Sequence, residues 1–364
     1  MSSEFGKTVT ISLFGQSHGA AVGVVIDGLP AGFAIDFERI QTFMNRRAGG
    51  GPFATPRKEP DIPQILSGTV ENITCGAPLC AIFPNTNCRS GDYRKLRDIP
   101  RPGHADYTAE VKYRGSQDPR GGGHFSARLT APLCFAGAVC IQMLEKKGIT
   151  IGARLYALGG IADASADYAQ LTPELVRQPG SKPFPVADDE AGRRMQERIL
   201  QMKKAGDSVG GIVECCVLGV PAGLGGPWFG GIESQLAAAV FGIPAVKGVE
   251  FGAGFEAARL AGSENNDTFY LAQNGEIRTK TNRHGGILGG ITSGMPLVMR
   301  AAFKPTPSIR KEQRTLNLAD SKETDLKIEG RHDPCVAVRA VPCVEAVAAA
   351  VLLDIMLTEK GWQE

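Results

Sequence analysis

The chain has 364 residues, with 40 Lys and Arg against 38 Asp and Glu for a net charge of +2. That balance excludes a general nucleic-acid binder, which carries a marked basic excess, and the length allows a sizeable core. The 46 glycines and 23 prolines lie inside hydrophobic patterns and not in low-complexity tracts, so they read as turns and ligand-approach points.

In chain order, the N-terminus Met1-Ser2-Ser3-Glu4-Phe5-Gly6 lacks the charged-then-apolar pattern of a secretory signal. Residues 8–14 have strand composition and run into Gly15-Gln16-Ser17-His18-Gly19, and Val22–Ile26 forms another strand. A histidine between glycines at a strand end sits at a cleft edge or in a hairpin. Asp36 is suited to cap a helix running to Arg47, with Ile40, Phe43, Met44 and Arg47 on the inward stripe. A cation on that stripe needs an anion, unless Arg46 and Arg47 only complement the helix dipole. The glycine-rich loop 48–53, leading to Arg57, has the composition of a lid. Ile62–Leu66 and Ala77–Phe83 read as strands.

The stretch from Arg101 to Arg128 concentrates polar chemistry. It contains Arg101-Pro102-Gly103-His104-Ala105-Asp106 and Arg120-Gly121-Gly122-Gly123-His124-Phe125-Ser126-Ala127-Arg128. Glycines let a backbone approach a ligand, and arginine forks match phosphate or carboxylate. The alternative is a polar loop whose histidines satisfy neighbouring backbone. A core helix is predicted from Ala131 to Lys147, where small residues on every side imply full burial. A surface helix, 187–205, carries Ala191, Met195, Ile199 and Met202 on one stripe and ends at Gly206. The last apolar helix, Ala346–Leu357, is interrupted by Asp354 and reads as too short to span a bilayer, so no membrane partner is expected. Nine cysteines with no C-x-x-C pair, several in apolar runs, read as reduced thiols and point to the cytoplasm.

An internal echo organises the whole. Ile26-Asp27-Gly28-Leu29-Pro30-Ala31-Gly32 returns as Val217-Leu218-Gly219-Val220-Pro221-Ala222-Gly223, and Ile73–Leu79 returns as Ile291–Leu297. The core helix ending Glu145-Lys146-Lys147-Gly148 returns in the stretch ending Thr358-Glu359-Lys360-Gly361. The order is kept, which predicts an α+β fold in one domain, 1–364, with an internal duplication of about 8–150 and 208–361. Each half would pair an antiparallel sheet with a buried helix, the helices forming a central layer sandwiched between the sheets.

The second half adds a glycine-dense segment, 282–294, and the kinked loop Lys304-Pro305-Thr306-Pro307-Ser308, a cation with two hydroxyls suited to phosphate. Gly330-Arg331-His332-Asp333-Pro334-Cys335 places a cation, an imidazole and a carboxylate ahead of the last helix. The dinucleotide turn, the P-loop and the H-E-x-x-H zinc motif are absent, and no metal site is expected. These residues alone rank an enzyme acting on a phosphorylated metabolite first. The rivals are a flavin or nicotinamide oxidoreductase and a non-catalytic anion-binding protein.

Three blocks go further: Gly15–Pro30; Arg101–Asp106 with Gly123–Arg128; and Arg331–Glu345. With 282–294 and Lys304–Ser308, they make the chain resemble the chorismate synthase family over nearly its whole length. The resemblance implies an anti-1,4-elimination of phosphate from 5-enolpyruvylshikimate 3-phosphate, dependent on reduced FMN without net redox change. It also implies helices layered between antiparallel sheets and a homotetramer. By position, His18 would protonate the departing phosphate, supported by Ser17. His104 would stabilise the reduced flavin, and Asp333 would sit near flavin N5 and help the abstracted proton leave. Arg47 and Arg128 would clamp substrate anions, and Arg331 would lie at flavin and substrate. His124, Phe125, Ser126, Ala245, Gly289, Lys304, Pro305, Thr306, Pro307 and Ser308 match flavin-contacting positions. Two departures stand out: Gln16 replaces the usual Glu before Ser-His, and Pro52-Phe53 replaces a loop arginine, for which Arg57 is the candidate substitute. The residues leave open whether the chain reduces its own FMN with NADPH.

Overall fold

The computed structural model describes residues 3–48, 53, 59–87, 98–328 and 332–361. It combines helices with two five-stranded sheets in which every pairing is antiparallel. The first sheet orders its strands Glu4–Phe5, Thr10–Gly15, Ala21–Asp27, Leu79–Pro84 and Gln64–Ser67. Leu79, Ala81 and Phe83 alternate inward, as period-2 geometry requires, and Phe83 meets Phe135 edge-on at 6.0 Å. The second sheet orders Val246–Phe251, Leu297–Phe303, Gly211–Leu218, Thr150–Leu158 and Ile161–Ala162.

Two buried helices connect the sheets. Helix α3 (Thr130–Lys146) packs on the strands Ala21–Asp27 and Leu79–Pro84. The last helix, α8 (Ala337–Lys360), packs on the strands Thr150–Leu158 and Gly211–Leu218, and α3 and α8 pack on each other. They approach so closely that a β-carbon on Gly137 would lie 2.2 Å from the Ala346 Cα. This is why small residues replace the usual apolar stripe. Both helices are long and apolar enough to cross a membrane by composition, but 83% and 89% of the relevant windows are buried inside the chain. The expectation of a short helix at 346–357 is therefore corrected. The helix runs through Pro342, and Asp354 does not end it, because that carboxylate accepts the backbone N–H groups of Lys7, Thr8 and Val9.

Helix α1 (Phe37–Asn45) starts at Asp36, whose carboxylate caps Arg39 N at 3.0 Å. Gln142 of α3 bonds both backbone groups of Asp36, fixing where α1 begins. At its other end Arg46 makes a bidentate pair with Glu345 of α8, which also accepts Ala153 N at 2.7 Å. Helices α2 (Asp106–Tyr113), α4 (Pro173–Ser181), α5 (Asp189–Lys204) and α6 (Ile232–Val240) surround this core, with a single turn α7 (Gly262–Asn265) in a loop. On the face of the second sheet away from α8, Arg154, Glu214, Arg300 and Glu250 stand opposite one another across four strands. Each is ion-paired, which offsets the desolvation of so many charges.

Candidate active site

A cavity of about 850 Å³ opens where α1, the segment 101–128, the loop 304–308 and the start of α8 meet. It is large enough for a cofactor and a substrate together. Its lining includes His18, Arg47, His104, Arg128, Lys304 and Asp333, which lie far apart in sequence.

The triple glycine sits between the two histidines. Gly121, Gly122 and Gly123 all have positive φ, and a β-carbon on Gly121 would fall 2.6 Å from His18 Nε2. On Gly122 it would lie 3.2 Å from His104 Nε2. Ser17 does not line the cavity. It is fully buried, and its hydroxyl donates to Gly121 O at 3.2 Å while its N–H donates to Gly123 O at 3.1 Å. Ser17 thereby holds the glycine turn against His18. Gln16 is exposed. Asp118 is held below its ordinary value by its Arg120 hydrogen bond first and, in smaller part, by the charge of His18.

His104 Nδ1 lies 2.6 Å from Asp106 Oδ1, and Arg101 holds the same carboxylate through Nε at 2.7 Å and Nη2 at 2.8 Å. An ionised carboxylate only accepts, so Nδ1 carries the proton and Nε2 is left toward the cavity. Burial pushes the His104 pKa down despite Asp106, so the ring is neutral near pH 7. The neighbouring His332 is pushed down to about 4, by burial first and then by the Arg101 charge.

Arg47 lies just past the end of α1 and not on it, yet it is buried as its place in the stripe implied, and its anion is Asp61, a residue the sequence reading missed. Asp61 pairs with both Arg47 and Arg128, all three side chains being buried. Arg47 Nη1 also donates to Thr130 Oγ1 at 3.0 Å, and Arg128 Nε donates to Asn85 Oδ1 at 2.9 Å. Despite its burial, Asp61 is held below the usual carboxylate range by the two guanidinium charges. The need for an anion was readable from Arg47. Its source was not, because Asp61 stands at φ 48° in an irregular loop. Arg339, also unforeseen, donates to Asp333 Oδ2 at 2.6 Å and to Arg47 O at 2.8 Å.

The second-half loop closes the other side. Lys304 N donates to Ala245 O at 2.9 Å and its Nζ to Gly103 O, while Arg101 Nη1 reaches Ser308 Oγ at 3.3 Å. Thr306, Pro307, Ala245, Phe125 and Ser126 line the cavity; Pro305 does not. Both ring nitrogens of His124 are engaged, Nε2 with Ser3 Oγ and Nδ1 with Gly15 O, each at 2.7 Å. Gly289 belongs to a separate two-stranded hairpin (Ile287–Leu288, Ile291–Thr292) and is not brought to this cavity. Arg331, Pro52 and Arg57 lie outside the described residues, as does most of the expected lid. Phe53 packs edge-on against Phe184 at 5.8 Å.

The chain matches the chorismate synthase family over residues 9–357. It belongs to that family. A chorismate synthase of Thermococcus kodakarensis is 48% identical over 358 residues, covering 98% of each chain. One of Lancefieldella parvula is 44% identical over 367 residues, covering 98% of this chain and 96% of the relative. A crystal structure of chorismate synthase superposes with a TM-score of 0.76 at 27% identity, covering 98% of this chain and 94% of that one.

Chorismate synthases use reduced flavin, and the cavity can be tested for a fit to FMN. It offers a long apolar wall from Leu133, Ile243, Pro244 and Val246, suited to a flat ring system. The cation of Lys304 and the hydroxyl of Ser308 also line it, groups suited to a phosphate. Thr306 Oγ1 is buried without a hydrogen-bond partner among the described residues, as a group awaiting a ligand would be. The residues fit the group.

Proposed function

We propose that this chorismate synthase family member converts 5-enolpyruvylshikimate 3-phosphate to chorismate by anti-1,4-elimination. A ring C–H bond and the C–O bond to phosphate break and a new C=C bond forms, so electrons balance without net oxidation. The observation that carries the reading is that His18 shares one cavity with Arg47 and Arg128, two buried arginines from separate elements. Phosphate leaves readily only if protonated or held by cations, and a positioned acid contributes roughly 10²–10⁴-fold.

Bound FMN in its reduced form supplies transient electron density to the ring. The chain's own residues bind, orient and move protons. His18 donates to the departing phosphate oxygen, and Ser17 holds the turn that shapes its pocket. Arg47 and Arg128 attract the substrate anions, with Asp61 keeping the two guanidiniums together. His104, neutral and oriented by Asp106, offers Nε2 as a hydrogen-bonding group and not as a cation. Asp333 accepts a proton and passes it outward. His124, Phe125, Ser126, Ala245, Thr306, Pro307, Ser308 and Lys304 are assigned to the flavin side, and Arg331 to both ligands. NADPH is the candidate reductant.

We further read the chain as one domain of two pseudo-repeated halves whose buried helices, α3 and α8, form the middle layer. The assembly is proposed to be a cytoplasmic homotetramer. Trp228 and Phe229, 86% and 93% exposed, are among the apolar groups a partner copy would cover, and Gly289 would act from such an interface.

The direct test is phosphate release from 5-enolpyruvylshikimate 3-phosphate with chemically reduced FMN under anaerobic conditions. Release dependent on both protein and flavin is expected. No release would overturn the reading in favour of an anion-binding protein.

A further inference from the structure

We propose that Arg339 is a positioning residue that fixes the Asp333 carboxylate relative to the Arg47 segment. The inference rests on the reading that Asp333 carries a proton during turnover. Asp333 lies in the irregular stretch ahead of α8, where no regular backbone element sets its side-chain direction. The N-cap position of α8 belongs to Val336 and the helix begins at Ala337, so Asp333 stands three residues ahead of the cap. Its carboxylate receives Arg339 Nη1 at 2.6 Å, from the first turn of that helix.

The same guanidinium turns its Nε to Arg47 O at 2.8 Å. That carbonyl lies just past the end of α1, where the last carbonyls of a helix have no intrahelical donor. Arg47 in turn aims its own side chain at Asp61 and Thr130. One rigid planar fork therefore sets the distance between a carboxylate on one wall and an anion clamp on the other. Both partners are shielded, with side-chain exposures of 19% for Arg339 and 12% for Asp333, which strengthens a charge-assisted bond. Lysine has one donor centre in place of the fork and cannot hold both partners in this geometry.

A double-mutant cycle decides between positioning and a merely structural tie to α1. Full-length wild type, Arg339→Met, Asp333→Asn and the double variant are assayed for kcat and KM of phosphate release with reduced FMN, alongside FMN affinity. Arg339→Met should lower kcat by about 10²-fold, the cost of misplacing a catalytic group, with FMN affinity retained. The double variant should be no slower than Asp333→Asn alone, because Arg339 acts through that carboxylate. Losses that multiply, or an unchanged kcat in Arg339→Met, overturn the inference while leaving the Asp333 reading intact. An Asp333→Asn enzyme at full speed instead removes the Asp333 reading and the inference with it. Arg339→Lys repeats the cycle should the Met variant fold poorly. If Lys restores full kcat, charge alone suffices and the fork is not required.

Discussion

Gly121 and His18 are in contact so close that a β-carbon on the glycine would fall 2.5 Å from the imidazole Cδ2. The turn therefore determines where the proposed proton donor stands. Gly121→Ala should displace the ring and lower turnover by about 10²-fold. Gly160 is the control: it also has positive φ, at 86°, but nothing lies within 4 Å of an added β-carbon. Gly160→Ala should lose similar stability, about 1–2 kcal/mol for the backbone conformation, yet keep its kcat. Equal turnover in the two variants would show that the contact does not matter.

His18→Ala removes the acid and leaves the apolar wall of the cavity untouched. Turnover should fall by roughly 10²–10⁴-fold while FMN affinity, read by fluorescence titration, stays near the wild-type value. A variant with unchanged turnover would return the donor role to another group.

Asp61 is the only carboxylate shared by Arg47 and Arg128 among the described residues. Asp61→Asn leaves two buried guanidiniums facing each other and should destabilise the protein by about 3–5 kcal/mol in urea unfolding. Added phosphate, entering between the arginines, should recover part of that loss. A wild-type midpoint in the variant would mean the pair is solvated and not buried as described.

The architecture was legible where periodicity carries it. Asp36 announces α1, Leu79, Ala81 and Phe83 alternate as a strand, and the small-residue run of α3 marks a helix packed on all sides. Asp61 and Arg339 were not legible, since their pairings with Arg47 and Asp333 run through irregular backbone and follow no helix or strand period. Asp333 was also readable as a helix cap, and in the structure its carboxylate takes a 2.6 Å bond from Arg339. The length of α8 was misread because Asp354 looks like a breaker, while the fold bonds its carboxylate to the backbone of Lys7, Thr8 and Val9.

Acid should unfold the protein partly through His332. Its pKa is lowered from 6.5 to about 4 by burial and the Arg101 charge, and that of His104 is also lowered. Between those values the unfolded chain binds more protons than the folded one, so stability is present above pH 6.5 and is lost as pH falls toward 4. His332→Gln should flatten that limb in urea midpoints taken across the window. An unaltered slope would place the acid sensitivity in other groups.

Elimination with no net redox change fixes the ratio of phosphate released to reduced FMN oxidised. Both are followed together in one anaerobic reaction, phosphate by a coupled colour assay and flavin by its absorbance. Many phosphates per flavin are expected, with the reduced spectrum persisting until substrate is exhausted. One flavin oxidised for each substrate consumed would contradict such elimination and make the protein an oxidoreductase.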